Sequence, residues 1–168
     1  MNIVPIVEEM RKDVREFFTK HWGSAEMVYS HGVFRCDELD GFVAVNNNGT
    51  WVGLVTYFVH NNECEVVSLD SMDEGKGIGT VLLRAVEEEA RKRGCHRVYL
   101  VTTNDNLNAL RFYQKRGYQC VRVIPNAVEK ARKIKPQIPT MSKDGIPIRD
   151  EFVLEKRLER KRSSFIVG

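Results

Sequence analysis

The chain has 168 residues, enough for one domain with a real core, and its 42% hydrophobic and 29% charged residues fit a globular protein. No apolar run approaches the length that crosses a bilayer, and residues 1–10 lack the basic-then-apolar pattern of a secretory leader, so a cytoplasmic protein without a membrane partner is expected. The net charge of +3, from 26 basic and 23 acidic residues, is too balanced to indicate nucleic acid, and Cys36, Cys64, Cys95 and Cys120 are spaced too irregularly for a zinc site, so they are expected to be buried, reduced thiols.

Ile6, Met10, Val14 and Phe17 recur at helical spacing and predict an amphipathic helix over residues 6–20, stopped by His21-Trp22-Gly23-Ser24. Residues 41–45 and 51–59 are β-rich, and Asn48-Gly49 between them is a hairpin signal. A third strand, 63–70, follows the short turn His60-Asn61-Asn62, so these strands form an antiparallel meander. The pattern then alternates: helix 79–93 closed by Gly94, strand 98–102, helix 106–116 closed by Gly117, and strand 118–124. Such alternation implies parallel crossovers joined to the meander. Residues 125–147 hold four of the five prolines and a basic helical stretch, 126–135, and read as an insertion before a last strand at 152–158. The expected architecture is a single domain over residues 1–168, of α/β (α+β) class, with a mixed sheet and helices on its faces.

The segment Asp73-Glu74-Gly75-Lys76-Gly77-Ile78-Gly79-Thr80 follows a strand and opens a helix. A helix N-terminus offers unpaired amides and a positive dipole end, and glycines let a ligand approach the backbone, so the segment can cradle a diphosphate. It is not a P-loop, because Asp70 stands where that motif needs its first glycine and Gly77 where it needs Ser or Thr. It is not a dinucleotide fingerprint, because Thr80 or Leu82 stands where the last glycine belongs. Taken alone, it is balanced between a ligand loop and a plain glycine-rich turn.

Downstream, Asn106, Ala109, Tyr113, Gly117 and Tyr118 fit Asn-x-x-Ala-x-x-x-Tyr-x-x-x-Gly-aromatic. This pattern resembles motif B of the GNAT acyltransferase superfamily. The earlier loop resembles that family's motif A, [Gln/Arg]-x-x-Gly-x-[Gly/Ala], through Gly77 and Gly79; the departure is Glu74 at the Gln/Arg position, expected to point outward because the cradle is mainly backbone. The two motifs occur in order, roughly 25–30 residues apart, and the resemblance covers about residues 40–124. Trp22-Gly23-Ser24, residues 64–71 and residues 145–151 further resemble a bacterial-type subgroup.

The resemblance implies the family fold, a mostly antiparallel sheet of six to seven strands with helices on both faces, and N-acetyl transfer from acetyl-CoA to a small-molecule or peptide amine. It implies that the strands at 63–70 and 98–102 splay apart around the pantetheine arm. Cofactor contacts would come from Leu69, Asp70 and Ser71, from Gly75, Lys76, Gly77, Ile78, Gly79 and Thr80, and from Asn104, Asn106, Ala109 and Tyr113. A lysine-like amine is neutral in only about one molecule in 2,500 at pH 7, so a base is useful. Glu65 is the first candidate; Glu63 shares its face, and Asp70 has the opposite parity unless a bulge intervenes. Tyr113 would protonate the leaving thiolate, and Asn106 would contact the arm, cap a helix, or both. Trp22, Tyr57, Arg149 and Asp150 are the candidate acceptor contacts. Arg132, Lys133 and Lys135 are candidates to attract an acidic substrate or cofactor phosphates, against a plain solvated helix face. His31 would lie near the acceptor side, and the histidines show no metal spacing. Relatives are often dimers, which makes a homodimer an expectation. Two other readings of the same residues are an acyl-CoA sensor without catalysis and an RNA-associated protein acetyltransferase.

Overall fold

The computed structural model describes residues 1–73 and 75–159. The expected orientation of Glu74 therefore lies outside the described residues. A seven-stranded sheet is ordered β1-β4-β5-β6-β7-β9-β8, built from β1 (Asn2–Pro5), β4 (Asp40–Val45), β5 (Trp51–His60), β6 (Glu63–Ser71), β7 (Arg97–Thr103), β8 (Gln119–Ile124) and β9 (Glu151–Arg157). A separate hairpin joins β2 (Glu26–Tyr29) and β3 (Gly32–Arg35). The helices are α1 (Arg11–Trp22), α2 (Ile78–Lys92), α3 (Leu107–Lys115) and α4 (Ala127–Ile134). No helix among the described residues is long and apolar enough to cross a membrane.

The meander follows its turn chemistry. In the β4–β5 turn Gly49 has φ +78°, and the Asn46 side chain accepts from the amides of Asn48 and Thr50. Asn61 and Asn62 both take positive φ in the β5–β6 turn, the requirement of a tight hairpin that matches strand twist. Strand alternation then divides the core. Val43, Leu54 and Val67 pack with Val14 and Phe18 of α1, whereas Ala44, Val55 and Val66 pack with Leu82, Leu83 and Val86 of α2. Helix α2 lies close on β5: a Cβ on Gly53 would fall 2.6 Å from Ile78 Cγ2 and 2.9 Å from Leu82 Cδ1. Glu87, buried on this side, accepts from the Tyr118 hydroxyl at 2.8 Å and pairs with Lys156 at 3.2 Å.

Three expectations need correction, and one element is additional to them. The first helix starts later than its periodicity predicts, because residues 2–5 pair with β4 as an edge strand and Glu8–Met10 form a short 3-10 turn. The β2–β3 hairpin falls between the first helix and the meander, where the hydrophobic pattern predicts no element. Strands β6 and β7 are parallel neighbours as the alternation predicts, but β9 inserts between β7 and β8 and pairs antiparallel with both. Cys36, Cys64 and Cys95 are buried, whereas Cys120 is exposed, because β8 is an edge strand.

The segment before β9 is held by specific bonds. Helix α4 buries Ala127, Val128 and Ala131. Arg132 donates to the carbonyls of Ile138, Pro139 and Ile148 at 3.2, 2.8 and 2.5 Å, so it staples this segment to itself instead of offering a free charge to a ligand. Lys135 reaches the Glu26 carbonyl of the hairpin at 3.3 Å.

Candidate active site

The site begins where the sheet opens. Strands β6 and β7 are in register only at Glu63–Arg97, Cys64–Val98 and Glu65–Tyr99, and beyond these pairs they part. The parting leaves strand backbone without a ladder partner, which is costly unless something else pairs with it. A cleft of about 990 Å³ occupies the gap, walled by Val66 to Ser71 of β6, Leu100 to Thr103 of β7, the start of α2 and one side of α3.

A bulge in β6 sets which side chains face the cleft. Tyr57 pairs with Val66 and Thr56 with Ser68, so Val67 is an extra residue. The bulge brings Asp70 to the face of the sheet that Glu65 shares, reversing the parity of a regular strand. Opposite Asp70 stands Leu54, in the α1-face core, and Trp22 of α1 donates its indole N–H to Asp70 Oδ1 at 3.1 Å. Burial raises the pKa of Asp70, and the Trp22 hydrogen bond opposes that rise.

The floor at the other end is the start of α2. Gly75 and Gly77 have φ +84° and +73°, and Gly77 is the N-cap without a side-chain cap. The first turn of α2 therefore presents amides that have no intrahelical acceptor, beside a turn in which two left-handed glycines flank Lys76. Gly79 packs under α3: a Cβ there would lie 3.2 Å from the Phe112 ring. Gly75, Gly77, Ile78, Gly79 and Thr80 all line the cleft. Lys76 does not; it is exposed and pairs with Asp73 at 2.7 Å.

On α3, the Asn106 side chain accepts from the Ala109 amide at 3.2 Å, and both residues line the cleft. Tyr113 also lines it, with 7% exposure, and its hydroxyl pKa is raised by burial first and by the charge of Asp70 second. Arg116 was not expected here. Its Nε donates to Thr80 Oγ1 at 2.8 Å, and its guanidinium lies 3.7 Å from the centre of the Phe112 ring, which puts a cation beside the start of α2. Nothing in the local sequence marks this residue, because the contact joins two helices.

The hairpin tip closes the opposite side. The Tyr29 hydroxyl donates to the Val67 carbonyl at 3.0 Å, His31 Nε2 meets both Glu65 oxygens at 3.0 and 3.1 Å, and Ser30 bonds Glu151 through its backbone amide at 2.9 Å and its hydroxyl. The hydrogen bond to Glu65 is the main cause of a raised His31 pKa. Glu65 itself is 1% exposed. It faces the hairpin and does not line the cleft, so it cannot touch an acceptor while His31 covers it.

Four expected contact residues, Tyr57, Asn104, Arg149 and Asp150, belong elsewhere. Tyr57 is buried in the α2-face core, with its hydroxyl on Arg93 at 3.4 Å, because its position in β5 points it away from the cleft side of α1. Asn104 turns toward the segment before β9: its Oδ1 accepts from the amides of Arg149 and Asp150, and its Nδ2 donates to the Pro147 carbonyl. Arg149 is exposed and pairs with Asp150, which also accepts from the Asn126 amide, so this pair shapes a loop outside the cleft. Of the four expected acceptor contacts, only Trp22 lines the cleft.

Comparison with known proteins agrees with this geometry. The chain is 55% identical over 159 residues to the uncharacterised protein YdhI of Bacillus subtilis, spanning 95% of this chain and 99% of that one. A GNAT family acetyltransferase from Elizabethkingia anophelis with acetyl-CoA bound has the same fold, with a TM-score of 0.68 at 16% identity over 94% of this chain and 97% of that one. The IAA acetyltransferase from Bacillus cereus gives 0.66 at 20% identity, over 94% and 99%. The model of the acetyltransferase (GNAT) family matches residues 7–118, which run from just before α1 through both glycine-bearing motifs. With the split sheet, the glycine-capped α2 and the α3 tyrosine in one cleft, the chain belongs to the GNAT acetyltransferase family.

Proposed function

We propose that the protein moves the acetyl group of acetyl-CoA to a primary amine by direct attack. The carrying observation is the cleft itself: one gap joins unpaired β6 backbone, the open amides of α2 and a buried tyrosine. The β6 edge at Leu69 to Ser71 suits an arm made of amides, which would pair as an added strand does. The start of α2 suits a diphosphate, and Arg116 adds a positive charge beside it. A β6 amide would polarise the thioester carbonyl and hold the oxyanion that forms on attack.

Tyr113 lies on the cleft wall on the α3 side and would give its proton to the departing thiolate. Burial and the Asp70 charge raise its pKa, so the hydroxyl stays protonated until a thiolate forms beside it. Glu65 would act through His31, by orienting the imidazole and the hairpin tip at the edge of the acceptor side. Trp22, Met27 and Tyr29 line the cleft on the side of α1 and the hairpin, and we assign them to the acceptor.

The test is thiol release from acetyl-CoA by purified protein over a panel of primary amines, with calorimetry of acetyl-CoA binding alongside. Acetyl-CoA uptake with amine-dependent thiol release is expected. No uptake by folded protein would overturn the reading. Uptake without thiol release from any amine would leave the acyl-CoA sensor as the better account.

A further inference from the structure

Direct attack needs the acceptor ammonium to lose a proton, and the carboxylate first expected to take it, Glu65, is covered by His31. A second carboxylate on the same face of β6 is placed differently. Asp70 lines the cleft, and only one of its oxygens is engaged, by the Trp22 indole at 3.1 Å. Oδ2 is buried with no hydrogen-bond partner among the described residues. A buried carboxylate oxygen without a donor is unfavourable, and native proteins rarely keep one without a use. The bulge at Val67 sends this side chain toward the α1 side, where the acceptor would lie, while the neighbouring backbone stays on the edge that suits the arm. We propose that Asp70 is the catalytic base, its Oδ2 receiving a proton from the ammonium of the acceptor.

The inference rests on the acetyl-transfer reading. Asp70 takes one proton from R–NH3+, and the neutral nitrogen attacks the thioester carbon to form a C–N bond. The C–S bond then breaks, Tyr113 protonates the thiolate, and the second proton leaving nitrogen restores the Tyr113 hydroxyl. Asp70 releases its proton to water, so each turnover yields one amide, one thiol and one proton. The titratable groups whose charges bear on Asp70 are His21 of α1, Cys36 after β3 and Tyr113 of α3, with the neutral donor Trp22 on α1. Burial raises the Asp70 pKa, which makes it a better proton acceptor near neutral pH.

Asp70→Asn keeps an oxygen for Trp22 and removes the base. With acetyl-CoA as donor, thiol release is measured for the amine panel, ethylamine included, and for trifluoroethylamine, which is already unprotonated at neutral pH. A loss of about 100-fold in kcat is expected with the ordinary amines and no more than about threefold with trifluoroethylamine. Acetyl-CoA affinity and melting temperature, measured on the same variant, are expected to stay near wild type. Trp22→Phe, which removes the hydrogen bond that lowers the Asp70 pKa, should move the acid limb of the kcat/KM profile to higher pH. Equal losses with both kinds of amine, or an acid limb that Trp22→Phe leaves in place, would overturn the assignment of Asp70 alone. Wild-type protein that binds acetyl-CoA yet releases no thiol with any amine would overturn the acetyl-transfer reading and this inference with it.

Discussion

Gly77 and Gly49 form a matched pair for testing the diphosphate cradle. Both hold left-handed backbone, with φ +73° and +78°, and a Cβ added at either meets nothing within 4 Å. Alanine should therefore cost each site a similar backbone penalty, about 1–2 kcal/mol. In a chain of this length that lowers Tm by roughly 2–8 °C. Only Gly77 lines the cleft, where it caps α2; Gly49 lies in the exposed β4–β5 turn. A methyl at Gly77 would keep a diphosphate from the amides behind it. Losing one charge-assisted hydrogen bond is worth about 1.5–3 kcal/mol, or roughly 10- to 150-fold in Kd. Calorimetry with acetyl-CoA on both variants, beside their thermal melts, should show matched losses of Tm and a weakened Kd for Gly77→Ala alone. Equal acetyl-CoA affinity in the two variants would refute the cradle.

Other consequences are open to measurement. Tyr113→Phe should lower kcat by about 100-fold while acetyl-CoA affinity, read by calorimetry, stays within about twofold; equal losses in both would remove its role as an acid. Gly53→Ala forces a Cβ to within 3 Å of Ile78 and Leu82, and should cost about 1–3 kcal/mol of stability in a denaturant titration as α2 is pushed off β5. His31 has a folded-state pKa raised by Glu65, so the stability it adds is present below its unfolded value of about 6.5 and is lost as pH rises through the folded value. Melting curves of wild type and His31→Gln should accordingly differ most on the acid side of about pH 6.5 and converge at alkaline pH; a gap that widens with pH would reverse the assignment.

The sequence alone settled what depends on neighbours along the chain. Hydrophobic periodicity marked α2, α3 and the meander to within a residue or two, because a buried face repeats at the period of its own element. Asn48-Gly49, Asn61-Asn62 and Gly77 were legible because left-handed backbone restricts the residues that tolerate it. The order of the two glycine-bearing motifs is likewise a feature of the chain alone, and it points to the family. Tertiary structure decided whatever depends on partners far apart in the chain. Strand β1 exists because β4 offers it an edge, and β9 enters between β7 and β8, a choice of pairing that local propensity does not encode. One extra residue at Val67, visible only in the register of β5 against β6, turned Asp70 to the cleft. The hairpin residues Ser30 and His31 bond Glu151 and Glu65 across separations of 121 and 34 residues. Arg116 reaches Thr80 across 36. Side-chain identity can be read along a strand, but the direction a carboxylate faces and the donor that covers it are fixed only when distant segments pack.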